Sequence, residues 1–253
     1  MKHKKSGFVT IYVLWMMSAM FVILFVASAS VQNIYLGESR DRDKLAFTFE
    51  SQAVARIALW KLLNSYPPTY AGILTLPYEM ELKVMNRVYN VRIEAEDSKV
   101  PVNRLNLNEL MNLTDIFLGD RNKGRLIFTY LQLNGRMNSV NELYNIIGSN
   151  GFGKLKDHVT AYSPRLNLNY ADEKSIRVIG LGRGDIEAII SRRKDGVVNI
   201  MDITNTFNET ILLKYATSTP RPAYYRIKVR MAKPFYSEAE YILSPDMQIL
   251  DRL

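Results

Sequence analysis

A long uncharged segment near the N-terminus constrains this chain more than any other feature of its sequence. Positions 8 to 31, from Phe8 to Val31, contain no Asp, Glu, Lys, Arg or His. As an α-helix rising about 1.5 Å per residue, these 24 residues would extend roughly 36 Å, more than the ~30 Å hydrocarbon core of a bilayer. We therefore expect residues 8–31 to form a transmembrane helix.

The charges on either side of this segment predict its orientation. Lys2, Lys4 and Lys5 precede it, whereas positions 38–44 after it carry charges of both signs. Because positive charge is retained on the cytoplasmic side of a membrane, the N-terminus is expected in the cytoplasm. The rest of the chain is then exported.

Three interpretations of the N-terminus fit this pattern. The first is a plain signal anchor. The second is a cleaved secretory signal ending at Ala27-Ser28-Ala29, although the apolar run exceeds the usual 7–15 residues of such signals. The third is a prepilin leader, residues 1–7, cut between Gly7 and Phe8 so that the helix stays attached. The short basic segment before Gly7 favours this third interpretation.

The helical pattern continues beyond the membrane segment. Apolar residues recur at helical spacing, and Pro67-Pro68 ends the pattern. The sequence thus predicts one helix of about 55 residues, half in lipid and half amphipathic in water; an ordinary anchor joined to a core helix is the alternative. The apolar stripe of the second half comprises Leu45, Phe49, Ala53, Ile57 and Trp60.

Two regions of alternating apolar and polar residues predict a small antiparallel sheet. A β-hairpin is expected over residues 78–95, with Asn86-Arg87 as its turn, so that residues 32–98 comprise the amphipathic helix and this hairpin. The C-terminal region, 219–253, is expected to add three strands. These are Tyr225 to Met231, a second strand containing Ala239, Tyr241 and Leu243, and a third from Met247 to Leu250.

The intervening region, residues 99–218, contains an internal repeat. The sequence Arg-Leu-Asn-Leu-Asn occurs at 104–108 and again at 165–169, an offset of 61 residues. Two copies of one helical unit are therefore predicted, at about 99–161 and 162–218. In each, the Leu-Asn-Leu-Asn segment should lead into a short helix capped by Asn. The same offset pairs Gly119 with Gly180, Gly135 with Gly196, and Asn138 with Asn199.

The second copy resembles a helix-hairpin-helix, with Gly180 and Gly182 in the hairpin and a helix over 185–193. In DNA-binding versions the hairpin amides and nearby basic residues hold phosphate. Acidic residues are interspersed here, at Asp172, Glu173, Asp185, Glu187 and Asp195, which favours a structural hairpin; DNA binding is the alternative. The candidate phosphate contacts are Arg183, Arg192, Arg193 and Lys194.

Motifs of known enzyme classes are missing from the sequence. There is no cysteine, and the two histidines are His3 and His158. Neither a nucleophile elbow, a P-loop nor a metal-ligand spacing is present. His158 beside Asp157 is interpreted as a surface or cap residue. We therefore predict a non-enzymatic protein without a catalytic site.

With these features in order, the chain resembles the general secretion pathway protein K family, the minor pseudopilins of type II secretion systems. Pilins usually carry Glu at the fifth mature residue, and this family departs from that rule; here the position is Tyr12. The resemblance covers nearly the whole chain. It rests on Lys4 to Phe8, Glu96 to Lys99, Ser139 to Leu143, Ile147-Gly148, His158 to Ser163, the two Leu-Asn-Leu-Asn segments and Tyr225 to Met231.

The resemblance implies an α+β fold: a pilin-like long N-terminal helix plus a small antiparallel sheet, with a large, mostly helical insert containing a duplicated helix-hairpin-helix or SAM-like unit. It implies cleavage by prepilin peptidase between Gly7 and Phe8, methylation of the new N-terminus, and a single-pass location in the bacterial inner membrane. The implied role is at the tip of a pseudopilus. There, with the I and J minor pseudopilins, the protein would prime assembly and contact secreted substrate.

Two features depart from the family. Its members often have a tryptophan- and aspartate-rich segment in the first half of the insert, whereas positions 115–134 contain only Asp115 and Asp120 as acidic residues. Some members bind calcium and have a disulfide nearby, but this chain lacks cysteine. We expect no cofactor from the residues themselves, and calcium enters through the resemblance alone, without assigned ligands.

Overall fold

The computed structural model describes residues 4–65, 67–205, 208–231 and 236–253, with side chains omitted for 4–11 and Arg40. The chain divides into an N-terminal part, Met1–Glu50, and a C-terminal part, Ser51–Leu253. In chain order the elements are α1 (Lys4–Asn64), β1 (Thr69–Tyr70), β2 (Ile73–Leu74), β3 (Tyr78–Val84), β4 (Arg87–Ala95), β5 (Val100–Pro101), α2 (Leu107–Leu118), α3 (Arg121–Asn134), α4 (Leu143–Leu155), β6 (Val159–Thr160), β7 (Leu166–Asn167), α5 (Glu173–Val178), α6 (Arg183–Asp195), α7 (Ile200–Ile203), α8 (Glu209–Tyr215), β8 (Ala216–Thr217), β9 (Tyr225–Met231), β10 (Ser237–Leu243) and β11 (Ile249–Arg252).

Helix α1 is the predicted long N-terminal helix, and it ends just before Pro67-Pro68 as expected. In the N-terminal part its large apolar side chains from Tyr12 to Leu36 are exposed. Among the described residues, α1 is the one helix long and apolar enough to cross a membrane. The structure is therefore consistent with a single N-terminal membrane anchor.

In the C-terminal part, one face of α1 is buried. Ser51, Val54, Ala55, Ala58 and Leu59 have no exposed surface. The Ser51 Oγ lies 2.7 Å from the Tyr241 hydroxyl oxygen of β10, which ties this face of the helix to the sheet. Small side chains on this face allow the helix backbone to approach its neighbours closely.

The main sheet has five antiparallel strands in the order β11-β10-β9-β4-β3. Strands β4 and β9 are central, and they pair from Tyr89 opposite Met231 to Ala95 opposite Tyr225. On β4, Tyr89 and Val91 are buried while Arg92 between Val91 and Ile93 is exposed, so only one face of the sheet is covered at this point. The small antiparallel sheet of the predicted fold class is confirmed.

Two strand boundaries differ from the expectation. The hairpin turn is Met85-Asn86 rather than Asn86-Arg87, because Val84 pairs with Arg87 and leaves a two-residue loop. Both loop residues have positive φ, 47° and 64°, as a type I′ turn requires. The last strand is Ile249–Arg252 rather than Met247 to Leu250, because Met247, with φ of 65°, belongs to the preceding turn.

The region between β4 and β9 folds as two helical repeats. In the first repeat, β5 and β6 form a two-residue parallel ladder that encloses α2, α3 and α4. In the second, β7 and β8 do the same around α5 to α8. These ladders bring the two ends of each repeat together. Both repeats contribute to one hydrophobic core.

The helix caps at the start of the two repeats differ, which corrects one prediction. In the first repeat, Asn106 caps α2 and forms a capping box with Glu109. In the second, Asn167 lies in β7, and α5 is capped by Asp172, which accepts a hydrogen bond of 2.6 Å from the Ser175 amide. The expected Asn cap is thus wrong for the second copy, because the Leu-Asn-Leu-Asn segment there forms a strand.

An asparagine that makes the same backbone contact in each repeat marks the structural correspondence. The Oδ1 of Asn103 accepts a hydrogen bond of 2.8 Å from the Met137 amide, and the Oδ1 of Asn169 accepts one of 2.9 Å from the Val198 amide. We call this contact the asparagine clasp. The clasp pairs Asn103 with Asn169, an offset five residues larger than the 61-residue offset of the sequence repeat. Met137 and Val198 keep the offset of 61 residues.

Candidate functional site

The predicted processing site lies in the first turns of α1. The backbone of Gly7 and Phe8 is helical, and their side chains are outside the described set, as are Lys2 and His3. Tyr12, at the position where pilins carry Glu, is exposed. Cleavage between Gly7 and Phe8 stays a prediction.

The predicted apolar stripe of α1 is exposed to solvent. In the N-terminal part, 65% of Leu45 and 67% of Phe49 is exposed; in the C-terminal part, 40% of Ile57 and 51% of Trp60 is exposed. The buried face of the helix carries both small and large apolar residues, among them Ala55, Leu59 and Leu62. Helix α1 therefore has a second apolar face, which the sheet does not cover.

The hairpin before α6 has the backbone expected of a helix-hairpin-helix, but a carboxylate already occupies its N-terminal end. Gly180 has φ of 94°. The Gly182 amide donates a hydrogen bond of 3.2 Å to Asp185, whose other carboxylate oxygen accepts one of 2.7 Å from the Asn208 side chain. Since helix N-termini attract anions, Asp185 occupies the position at which a phosphate would bind.

The four candidate phosphate contacts do not form an open basic surface. Arg183 is 2.8 Å from Glu187, and Arg192 is 3.2 Å from Asp202. Burial lowers the pKa of Arg193 to about 10, and its Nε and Nη2 are enclosed in the protein. Lys194 is exposed at the end of α6. This arrangement favours a structural role for the hairpin.

A buried ion-pair network joins the sheet to the first repeat, and the sequence reasoning missed it. Arg226 of β9 is fully buried; it donates hydrogen bonds of 2.6 and 3.1 Å to the two carboxylate oxygens of Glu96. Its Nη1 also lies 3.2 Å from Glu240 and 3.5 Å from Asp157. Burial would lower the pKa of Arg226, but the carboxylate of Glu96 outweighs this and raises it. The expected strand alternation puts Arg226 on the polar face with Lys228 and Arg230, so the sequence pattern does not indicate its burial.

Asp97 connects the same junction to the second repeat. Its Oδ2 accepts hydrogen bonds of 3.0 Å from the Ala223 amide and 3.2 Å from Asn167. Burial raises the pKa of Asp97 to about 6. Burial, together with the nearby charge of Arg226, lowers the pKa of Lys99 to about 8. Glu96 and Glu94, at 3.9 and 4.0 Å from its Nζ, act in the opposite direction without offsetting this.

His158 is a half-buried packing residue. Its ring stacks on Phe117, with 4.2 Å between the ring centroids, and burial lowers its pKa. The sequence predicts a surface or cap residue, and the structure places His158 in the contact between α2 and the turn after α4. Among the described residues, no group of three or more His, Cys, Asp or Glu side chains is arranged to hold a metal ion.

Comparisons with known proteins add one finding. No protein-family model and no curated protein matches the sequence. A chain in the crystal structure of the GspK-GspI-GspJ complex, from the type 2 secretion system of enterotoxigenic Escherichia coli, has a similar fold, with a TM-score of 0.62. The similarity covers 86% of this chain and 97% of that chain at 10% sequence identity. This chain therefore has a GspK-like pseudopilin fold.

Proposed function

We propose that this protein is a minor pseudopilin of a type II secretion pseudopilus or a related type IV filament, with an assembly role rather than a catalytic one. The GspK-like fold supports this proposal. The apolar part of α1 supports anchoring in the bacterial inner membrane, with the N-terminus in the cytoplasm. The remaining chain is then extracytoplasmic.

The exposed apolar stripe of α1 is the observation on which the proposal rests. Large apolar side chains that stay exposed at regular helical spacing mark a surface that another protein covers. A long helix with such a stripe packs side by side with other long helices through its i, i+3 and i+4 side chains. The partners we propose are the I and J minor pseudopilins, since the complex of similar fold contains GspI and GspJ.

A position at the filament tip follows from two further features. Tyr12 replaces the glutamate by which a pilin docks onto the N-terminal amine of a neighbouring subunit, so this chain lacks that charge. The two helical repeats between β4 and β9 add bulk that a regular filament subunit does not carry. Both features suit a first subunit that primes assembly and presents its repeats to secreted substrate.

Leader processing provides the test. Co-expression with a prepilin peptidase should shorten the chain by residues 1–7, leaving Phe8 as a methylated N-terminus that stays in the membrane fraction. A Gly7→Val variant should keep its full mass, because a branched side chain fills the space beside the cleaved bond that glycine leaves open. A mature chain that starts after Ala29 and is found outside the membrane would overturn the proposal.

DNA binding in an uptake system is the alternative from the sequence. The Asp185 contact and the paired arginines of α6 oppose it. A gel-shift experiment with the full chain in detergent separates the two. Salt-sensitive binding that is lost in an Arg192→Ala, Arg193→Ala variant would favour DNA binding.

A further inference from the structure

The asparagine clasp of the first repeat places two arginines beside one cavity. Asn103 Nδ2 donates hydrogen bonds of 2.8 Å to the Met137 carbonyl and 3.0 Å to the Ala161 carbonyl, and its Oδ1 accepts from the Met137 amide. Three hydrogen bonds from one side chain therefore join three chain segments. Arg104 follows Asn103 and Arg136 precedes Met137, so the clasp sets the positions of both arginines.

The cavity between these segments has a volume of about 380 Å³, and Arg104 and Arg136 line it. Met137, Ala161 and Pro164 provide apolar parts of its wall, and no carboxylate belongs to the lining. A volume of this size lies within the ~300–1,000 Å³ range of ligand sites in proteins.

The charges of the two arginines are available to a ligand. Arg104 has no ion pair or side-chain hydrogen bond within the part of the chain that the structure describes, and Arg136 donates through Nε to Asn138 at 3.2 Å. Asp251, which contacts Tyr162 of the lining, forms no ion pair with either arginine among the described residues. Asp251 accepts from Tyr162 at 2.5 Å and from Ser139 at 2.6 Å.

The second repeat provides an internal comparison. It keeps the clasp at Asn169, whose Nδ2 donates to the Thr219 carbonyl at 3.1 Å and whose Oδ1 accepts from the Val198 amide. The residues that correspond to Arg104 and Arg136 are there Tyr170 and Val197. The clasp thus serves the fold of both repeats, whereas the pair of arginines occurs in the first repeat and is not needed for that fold.

We infer that this cavity binds a carboxylate of an acidic polypeptide segment, held between the guanidinium groups of Arg104 and Arg136. A guanidinium presents two parallel N–H donors that match the two oxygens of a carboxylate, and such paired hydrogen bonds are among the strongest in proteins. This binding activity is additional to the proposed role in filament assembly and does not depend on it.

The shape of the site favours a polypeptide over a nucleic acid. A concave cavity admits one side chain or a chain end, while a duplex requires a row of unpaired cations along its phosphates. Single strands require exposed aromatic rings for stacking, and the one ring in the lining, Tyr162, is held by Asp251. The apolar wall suits the aliphatic carbons beside a carboxylate.

The test uses the full chain in nanodiscs and three fluorine-labelled peptides, followed by ¹⁹F NMR titration. The first peptide is blocked at both ends and contains two aspartates, and the second has asparagines in their place. The third has a free C-terminal carboxylate and no acidic side chain. The variant is Arg104→Gln with Arg136→Gln. The matched control, Arg121→Gln with Arg125→Gln, removes the same charge from exposed positions of α3.

We expect a carboxylate-bearing peptide to bind at least tenfold more tightly than the asparagine peptide. Comparison of the first and third peptides shows whether the carboxylate comes from a side chain or a chain end. The Arg104, Arg136 variant should lose at least tenfold in affinity, and the control should stay within twofold of the unmodified chain. Unchanged near-ultraviolet circular dichroism will show that the variant is folded.

Four results would overturn the inference. One is an asparagine peptide that binds as tightly as both carboxylate-bearing peptides. Another is unchanged peptide affinity in the Arg104, Arg136 variant, or no binding of any peptide at about millimolar concentration. The last is tighter binding of an oligonucleotide that the same variant abolishes, which would assign the cavity to phosphate groups of nucleic acid.

Discussion

Arg226 is a charged side chain at the centre of the fold, and its partners decide what it contributes. It is fully buried, as is Glu96, so neither charge is stabilised by water. Exchanging such a pair for apolar residues can be neutral, while removal of one partner leaves the other charge unpaired. The pair therefore contributes more to the specific alignment of β9 with the segment after β4 than to the free energy of unfolding.

Glu96→Gln should lower the free energy of unfolding by about 3 kcal/mol, because Arg226 then stays buried without its two-point partner. Chemical denaturation of the full chain in detergent, followed by near-ultraviolet circular dichroism, measures the change. Glu79→Gln is the control: Glu79 pairs with Arg92 on the exposed face of the sheet, and its loss should cost less than about 1 kcal/mol. Equal effects of both substitutions would contradict this account of the network.

Asp97 should make stability depend on pH. Burial raises its pKa from the ordinary 3.8 to about 6, so the folded chain binds this proton more tightly than the unfolded chain. Its contribution is fully present below pH 3.8 and is lost as the pH rises through 6, a change on the order of 3 kcal/mol. Asp97→Asn should flatten the stability profile between pH 4 and 6.

Unfolding titrations at several pH values measure this profile. Asp195→Asn, at an exposed position of α6, serves as the control and should leave the slope unchanged. An Asp97→Asn profile as steep as that of the unmodified chain would show that other groups cause the dependence.

At the scale of elements, the packing of α2 against α3 depends on a missing side chain. A Cβ at Gly124 of α3 would lie 2.5 Å from the Leu110 carbonyl oxygen of α2 and 2.6 Å from the Met111 Cα. Both neighbours are backbone atoms, which cannot move aside as a flexible side chain would. The two helices can therefore approach this closely only with glycine at position 124.

Gly124→Ala should destabilise the chain by about 1–3 kcal/mol, because overpacking outweighs the gain in helix propensity. Gly153→Ala is the control in α4, where a Cβ would meet nothing within 4 Å. It should be neutral or stabilising by up to about 1 kcal/mol. Thermal unfolding of both variants measures the difference, and a stabilised Gly124→Ala chain would refute the close contact.

Periodicity predicted the elements well and their ends less well. The end of α1, the hairpin, β9 and the two repeats follow from apolar spacing, Pro67 and sequence identity between copies. The turn at Met85 and the cap at Asp172 do not, since identical Leu-Asn-Leu-Asn segments become a helix start in one repeat and a strand in the other. The second segment becomes a strand because it pairs with β8, which lies some fifty residues further along the chain.

For the whole molecule, the sequence indicated the anchor and the exposed stripe but not the ion network or the arginine cavity. The stripe is local in sequence, so helical spacing reveals it. Arg226 and Glu96 are 130 residues apart, and Arg104 and Arg136 are 32 apart; a single sequence carries no signal that they meet. Only the sheet pairing and the clasp bring these residues together.

Charges on the stripe should block assembly without unfolding the chain. We expect Ile57→Glu with Trp60→Glu to abolish co-purification with minor pseudopilin partners, because a buried unpaired carboxylate is costly at an apolar helix interface. Arg56→Gln with Lys61→Gln changes the net charge equally at exposed positions of α1 and should leave co-purification intact. If both variants lose their partners, the change in net charge is the cause. If neither variant loses them, the stripe is not part of the interface.

The central strand pair β4 and β9 joins residues on either side of a 129-residue excursion, from Ala95 to Tyr225. Bringing the two ends of a loop of this length together costs about 4 kcal/mol of free energy, because the chain loses conformational entropy. For a loop of fewer than about twenty residues the cost falls below about 3 kcal/mol. Since β5 with β6 and β7 with β8 bring the ends of each repeat together, folded repeats shorten the effective loop to about that length. We therefore expect the helical repeats to form first, and the central ladder to close once they have brought its two strands near each other.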